Sequence, residues 1–131
     1  MDAIRRSARP NAALIAGGVL ITLLTLPAAA LAHAFPDHSD PRVGHTVDQS
    51  PSEVRVWFDG AIEPVFSTLR VEDSEGHQVD RGDGHVDASD DTLLEVGVSA
   101  LQPGSYQAFW SVVARDGHRT EGHFPFRVES H

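Results

Sequence analysis

Beyond residue 50, apolar and polar residues alternate along most of the chain, and a period of two marks strands with one face in a core and the other in water. Glu53-Val54-Arg55-Val56-Trp57-Phe58 alternates cleanly, and Ser67-Thr68-Leu69-Arg70-Val71-Glu72 does so again after a loop containing Pro64. Thr92 to Val98 is a third strand, and Ser105 to Val113 is a fourth, introduced by the turn signal Gln102-Pro103-Gly104. Gly122 to Glu129 closes the chain with Phe124, Phe126 and Val128 on one face, and Pro125 inside it implies an edge position or a bulge. Short strands near Ser39 to Pro41 and near Gln78-Val79 bring the number to about seven, as in an immunoglobulin-like sandwich of this length. Nothing after the first 32 residues repeats at helical spacing over three turns, so the fold class is all-β.

The opening of the chain breaks this pattern. Met1 to Pro10 carries Arg5, Arg6 and Arg9 against the single acid Asp2, and about fifteen mostly apolar residues from Ala12 to Leu26 come next, ending at Pro27. A basic start, an apolar stretch too short to span a bilayer and the small-residue segment Ala30-Leu31-Ala32 fit a secretory signal with an A-x-A cleavage site. The domain reading is therefore residues 1–32 as a cleaved signal peptide and 33–131 as one β-sandwich domain, with an uncleaved N-terminal anchor or a cut one or two residues away as alternatives. No second apolar run long enough to cross a membrane occurs after Pro27, so the processed chain is expected outside the cytoplasm, periplasmic or secreted, without a span.

Charge narrows the partners. Residues 33–131 hold seven basic against eighteen acidic residues, a formal charge of −11, and a polyanion needs a basic face to release its counterions, so nucleic acid is excluded as a partner. An anionic membrane surface is disfavoured for the same reason. The chain has no Cys, and its one Met is Met1, so any metal must be held by nitrogen and oxygen donors.

Three residues combine into a candidate site. Cleavage after Ala32 would make His33 the first residue, exposing an α-amine and an imidazole that chelate together. Asp116 and His118 lie two apart, which in extended backbone points both side chains to one face. Read as bare structure, Asp116-Gly117 is a two-residue hairpin turn that needs no metal. With His33 added, three nitrogens and a carboxylate oxygen suit tetragonal Cu(II), whereas Zn(II) prefers a tetrahedron and Ca(II) or Mg(II) more oxygens. Asp83, His85 and Asp87, in the acidic and Gly-rich stretch Asp73 to Asp91, lack a rigid ligand spacing and read as a solvated, flexible connection. His38 reads as an exposed loop residue and His123 as a solvent-facing one. Trp110 is open between core packing and a place near the metal.

At these residues the chain resembles the CopC family of periplasmic copper-binding proteins, over most of residues 33–129. The resemblance is carried by His33, Asp40-Pro41, Glu53 to Phe58, Leu101-Gln102-Pro103-Gly104-Ser105-Tyr106, and above all Phe109-Trp110-Ser111-Val112-Val113-Ala114-Arg115-Asp116-Gly117-His118 leading to Gly122 and Phe124 to Val128. It implies an Ig-like β-sandwich or Greek-key β-barrel binding one Cu(II) per chain through His33, Asp116 and His118. It also implies a copper carrier or buffer in copper homeostasis or resistance, not an enzyme, with a membrane copper transporter of the CopD type as partner. Two departures stand out. The Met-rich Cu(I) segment of some relatives is replaced by the acidic stretch, and Phe58-Asp59-Gly60 stands where relatives have Phe-Ser-Glu, which leaves open whether Asp59 or Glu63 assists the copper.

A histidine-brace monooxygenase is the alternative from another class, but roughly 100 residues leave little room for a polysaccharide platform and a carboxylate in the copper plane hinders oxygen binding. A metal-free Ig-like module results if His33 is never freed. Mass spectrometry of the exported product is expected to show a chain of 99 residues beginning at His33, and any other start removes the chelating terminus.

Overall fold

A computed structural model describes residues 17, 18, 20 and 33–129, so all but three residues of the expected signal peptide lie outside the described residues. Eight strands form among them: β1 (Pro36–Asp40), β2 (Thr46–Val47), β3 (Glu53–Phe58), β4 (Thr68–Asp73), β5 (His85–Val86), β6 (Leu93–Gly97), β7 (Gly104–Val113) and β8 (Arg119–Val128). They make two sheets of four, in the orders β1-β3-β6-β5 and β2-β8-β7-β4. β2 runs parallel to β8, and the other strand pairings are antiparallel. The sheets stay open at their edges, so the architecture is the sandwich and not a closed barrel.

The alternating pattern becomes the core. Val54, Val56 and Phe58 of β3 and Val96 of β6 face Leu69 and Val71 of β4, Ala108, Trp110 and Val112 of β7, and Phe124, Phe126 and Val128 of β8 within one buried cluster. Such residues each contribute about 1.5–3 kcal/mol on burial, the main favourable term in a chain with no disulfide. The Tyr106 hydroxyl donates to the Gln102 carbonyl four residues upstream, the tyrosine corner that ties a strand start to the connection before it in Greek-key sandwiches.

Three local features differ from, or refine, the sequence reading. No ladder forms at Gln78-Val79, where only the isolated bridges Glu72↔Gln78 and Asp80↔Val98 occur, because the Asp80 carboxylate accepts the Val71 N–H at 2.8 Å in place of a strand carbonyl. Pro125 is paired with Gln107 inside β8, yet acts as an edge residue: its carbonyl accepts from Gly44 N–H at 2.7 Å on the side away from β7, and its nitrogen faces the same way, so no ladder bond is lost. The β7–β8 connection is a three-residue loop, closed by Gly117 N–H to the Ala114 carbonyl and Ala114 N–H to the His118 carbonyl, each 2.9 Å. Gly117, at φ 88°, supplies the left-handed position of the bulge that ends such a turn, where a side chain would be strained.

Gly122 is needed for a different reason. It sits opposite Trp110 in the β7–β8 ladder, and a Cβ there would stand 2.4 Å from Cζ2 of the indole. The ring packs edge-on against Phe58 at 5.4 Å between centroids. Gly122→Ala is expected to cost about 1–3 kcal/mol through overpacking, read as a lowered denaturation midpoint with an unchanged dependence on denaturant.

Candidate metal centre

The β7–β8 turn presents Asp116 and His118 at one end of the sandwich. One Asp116 oxygen accepts the backbone N–H of His118 at 3.0 Å, and the other faces Nδ1 of the same residue at 2.9 Å. The backbone N–H, then the His118 ring and weakly His33, hold the Asp116 carboxyl below its ordinary pKa, so it stays ionised through the neutral range. Arg115 is directed away from this pair, to Asp91 at 3.0 Å and to Glu63 at 3.9 Å.

His33 arrives from the opposite end of the sequence. Its ring lies 5.3 Å from that of His118 between centroids, tilted 52° to it, and 5.9 Å from Phe35. The next residues are sewn into the sandwich. Ala34 is buried at 1% exposure, its carbonyl accepts the Thr120 hydroxyl at 2.7 Å, and the Phe35 N–H donates to the Asp59 carboxylate at 2.8 Å while the Asp59 N–H donates back to the Phe35 carbonyl at 2.9 Å. The segment thus bridges β8 in one sheet and the end of β3 in the other.

His33, Asp116 and His118 therefore stand at the same end of the molecule. Among the described residues, no three His, Asp or Glu side chains form a ready-made ligand set around one point, and the donors here are paired with one another instead, carboxylate to imidazole. The other candidates are engaged elsewhere. Asp59 grips the Phe35 backbone, Glu63 faces Arg115 and donates its N–H to the Val113 carbonyl at 2.7 Å, His38 bonds Asp37 at 2.8 Å and stacks on Trp57, and His123 is exposed against Phe109. Trp110 lies in the core, 9% exposed. Sequence reasoning missed Thr120. Its signal is parity, since it is a polar residue on the row that continues through Phe124 and Phe126 into the core.

Fold and site define a small two-sheet β domain that gathers two imidazoles and a carboxylate at one end. The CopC domain model matches residues 37–129, and the chain belongs to the CopC family. It is 30% identical over 112 residues to Protein YobA of Escherichia coli K12, covering 85% of this chain and 90% of that one. It is 28% identical over 111 residues to the Copper transport protein CutJ of Bacillus subtilis 168, where the match covers 84% of this chain but spans only 20% of CutJ. Among solved structures, CopC from Methylosinus trichosporium OB3b superposes with a TM-score of 0.68 at 31% identity, covering 76% of this chain and 96% of that one. PcoC, a methionine-rich copper resistance protein from Escherichia coli, shares the fold with a TM-score of 0.65 at 21% identity, over 75% of this chain and all of that one.

In this chain Asp73 to Asp91 contains no Met, and the structure makes it more ordered than a flexible connection. Asp83 accepts the Gly97 N–H at 2.8 Å, His85 reaches the Asp83 carbonyl through Nδ1 at 2.8 Å and Glu95 through Nε2 at 3.1 Å, and Asp87 accepts from Ser89 at 2.9 Å. The Asp83 carbonyl, then Glu95, raise the His85 pKa, and the protonated ring donates from Nδ1 to the one and from Nε2 to the other. Burial, then the Glu53 and Asp87 carboxylates, raise the Glu95 pKa above its ordinary value. An acid held more firmly protonated in the folded state loses stability as pH rises through and above the ordinary carboxylate range. Glu95→Gln, whose amide oxygen still accepts from His85 Nε2–H, is expected to raise the melting temperature at pH 7 and to lose that advantage below about pH 4, as tracked by thermal unfolding across pH.

Proposed function

We propose that this chain is an exported copper protein, periplasmic or secreted. Once residues 1–32 are removed, it holds one Cu(II) with the His33 amine and imidazole, the Asp116 carboxylate and the His118 imidazole. It serves as a carrier or buffer in copper homeostasis or resistance, exchanging the ion with a membrane copper transporter of the CopD type. The observation that carries this reading is the 2.9 Å separation of Asp116 Oδ2 and His118 Nδ1 beside the His33 ring. Two donors at right angles on bonds near ~2.0 Å are about 2.8 Å apart, the spacing of neighbouring corners of a square-planar site.

The family and the names of its relatives support copper as the cargo. CutJ is a copper transport protein, and a domain that matches a fifth of it is suited to hand the ion to a larger transport body. Among the described residues no helix is long and apolar enough to cross a membrane. A carboxylate bound to the copper would compete with oxygen for the ion, which favours carriage over catalysis.

Binding displaces protons from the amine and the imidazoles, so affinity falls as pH drops, while Asp116, already ionised, adds nothing to that dependence above the ordinary carboxylate range. Titration of the processed protein with Cu(II) is expected to give one equivalent bound. His118→Ala, or one Gly added before His33, is expected to weaken binding on the order of 100-fold with the fold unchanged. Equal affinity in wild type and both variants rejects the site.

A further inference from the structure

We propose that Thr120 is a positioning residue of the copper site: by holding the Ala34 carbonyl, its hydroxyl sets the direction in which His33 presents its amine and ring. This rests on the copper reading above and adds a residue outside the ligand set.

The Ala34 carbonyl and the Phe35 N–H belong to one planar peptide group. Its oxygen is held by Thr120 at 2.7 Å, on β8, and its N–H by Asp59 at 2.8 Å, just after β3. A single rigid unit is thus fixed from both sheets, on opposite edges. The Ala34 side chain, 1% exposed, is a third fixed point. Only the torsions of the His33–Ala34 link and of the His33 side chain then stand between the sandwich and the donor atoms. Thr120 lies two residues beyond His118, near the start of β8, so one short stretch of backbone sets both the second imidazole and the anchor for the first.

Removing the hydroxyl leaves a half-buried carbonyl without its partner and frees the peptide unit to swing about its Asp59 bond, away from the geometry in which His33 sits 5.3 Å from His118. Losing such an outer contact typically weakens metal binding 10–100-fold, with the lower end expected for a group that acts through one intervening residue. Thr120→Ser keeps the donor. Thr120→Val keeps the shape and loses it.

The test expresses the full precursor with export and titrates the processed wild type, Thr120→Val, Thr120→Ala and Thr120→Ser with Cu(II), recording paramagnetic resonance spectra and metal-free melting curves. The expected result is about 10-fold weaker binding and a changed copper spectrum in the Val and Ala variants, with both restored by Ser. Val and Ala variants that match wild type in affinity and spectrum overturn the inference while the copper reading stands. So does a loss that Ser shares, or a loss that scales only with lowered melting temperature. Wild type that binds no Cu(II) overturns the copper reading, and this inference with it.

Discussion

The ten-residue antiparallel ladder between β7 and β8, running from Gly104↔Val128 to Val113↔Arg119, is the constraint on which the site end depends. It carries the largest share of inward aromatic side chains, and it fixes how far the turn projects beyond the core. A slip of one residue would invert every side chain on β8, sending Phe124 and Phe126 to solvent. The cost of exposing those rings pins the register, and the register pins the turn. Asp116 and His118 are held by packing some distance away as much as by the bonds within their own loop.

Closing the end of the sandwich is a separate problem, solved by a segment of three residues. Sheet edges leave backbone groups that must find partners, and the stretch from His33 to Phe35 supplies them without joining a ladder. Ala34 fits because it is small enough to enter between the sheets at 1% exposure. A larger side chain there would push the peptide out and break the contacts to Thr120 and Asp59 together. His33 is delivered beside His118 by the anchoring of Ala34 and Phe35, its neighbours in the chain, which makes its placement sensitive to residues that touch no donor atom.

The strands were legible because alternation is a direct record of which face meets the core, and β3, β4, β6, β7 and β8 fall within a residue or three of their expected limits. β2 and β5, two residues each, are too short to carry a period. Around Gln78-Val79 the apolar residue was visible, but the Asp80 side chain taking a ladder position was not, since period two carries no information about side-chain acceptors. The turn was legible in composition and misread in detail: Asp-Gly marks two kinds of hairpin turn, and only the closing bonds tell them apart. That His33, Asp116 and His118 come to one end of the molecule was legible from residue chemistry and family resemblance. Thr120 and the role of Asp59 were not, because both act on the backbone of a segment distant in sequence.

The pairing of Asp116 with His118 bears on how such a site exchanges its ion. Both side chains are solvent-exposed, yet the carboxylate and imidazole satisfy each other as a hydrogen-bonded pair. Under the copper reading, Asp116 and His118 would trade that bond for bonds to the ion, with donor atoms that already stand 2.9 Å apart. The lost hydrogen bond joins two solvent-exposed groups and costs little, against the large penalty of assembling donors from a flexible chain. Under the same reading that bond would re-form on release. A strongly acidic surface adds a long-range attraction for cations that favours their approach. Under the proposed carrier role, a self-satisfied pair of donors suits a protein that passes its metal on, because release leaves no unpaired charge behind.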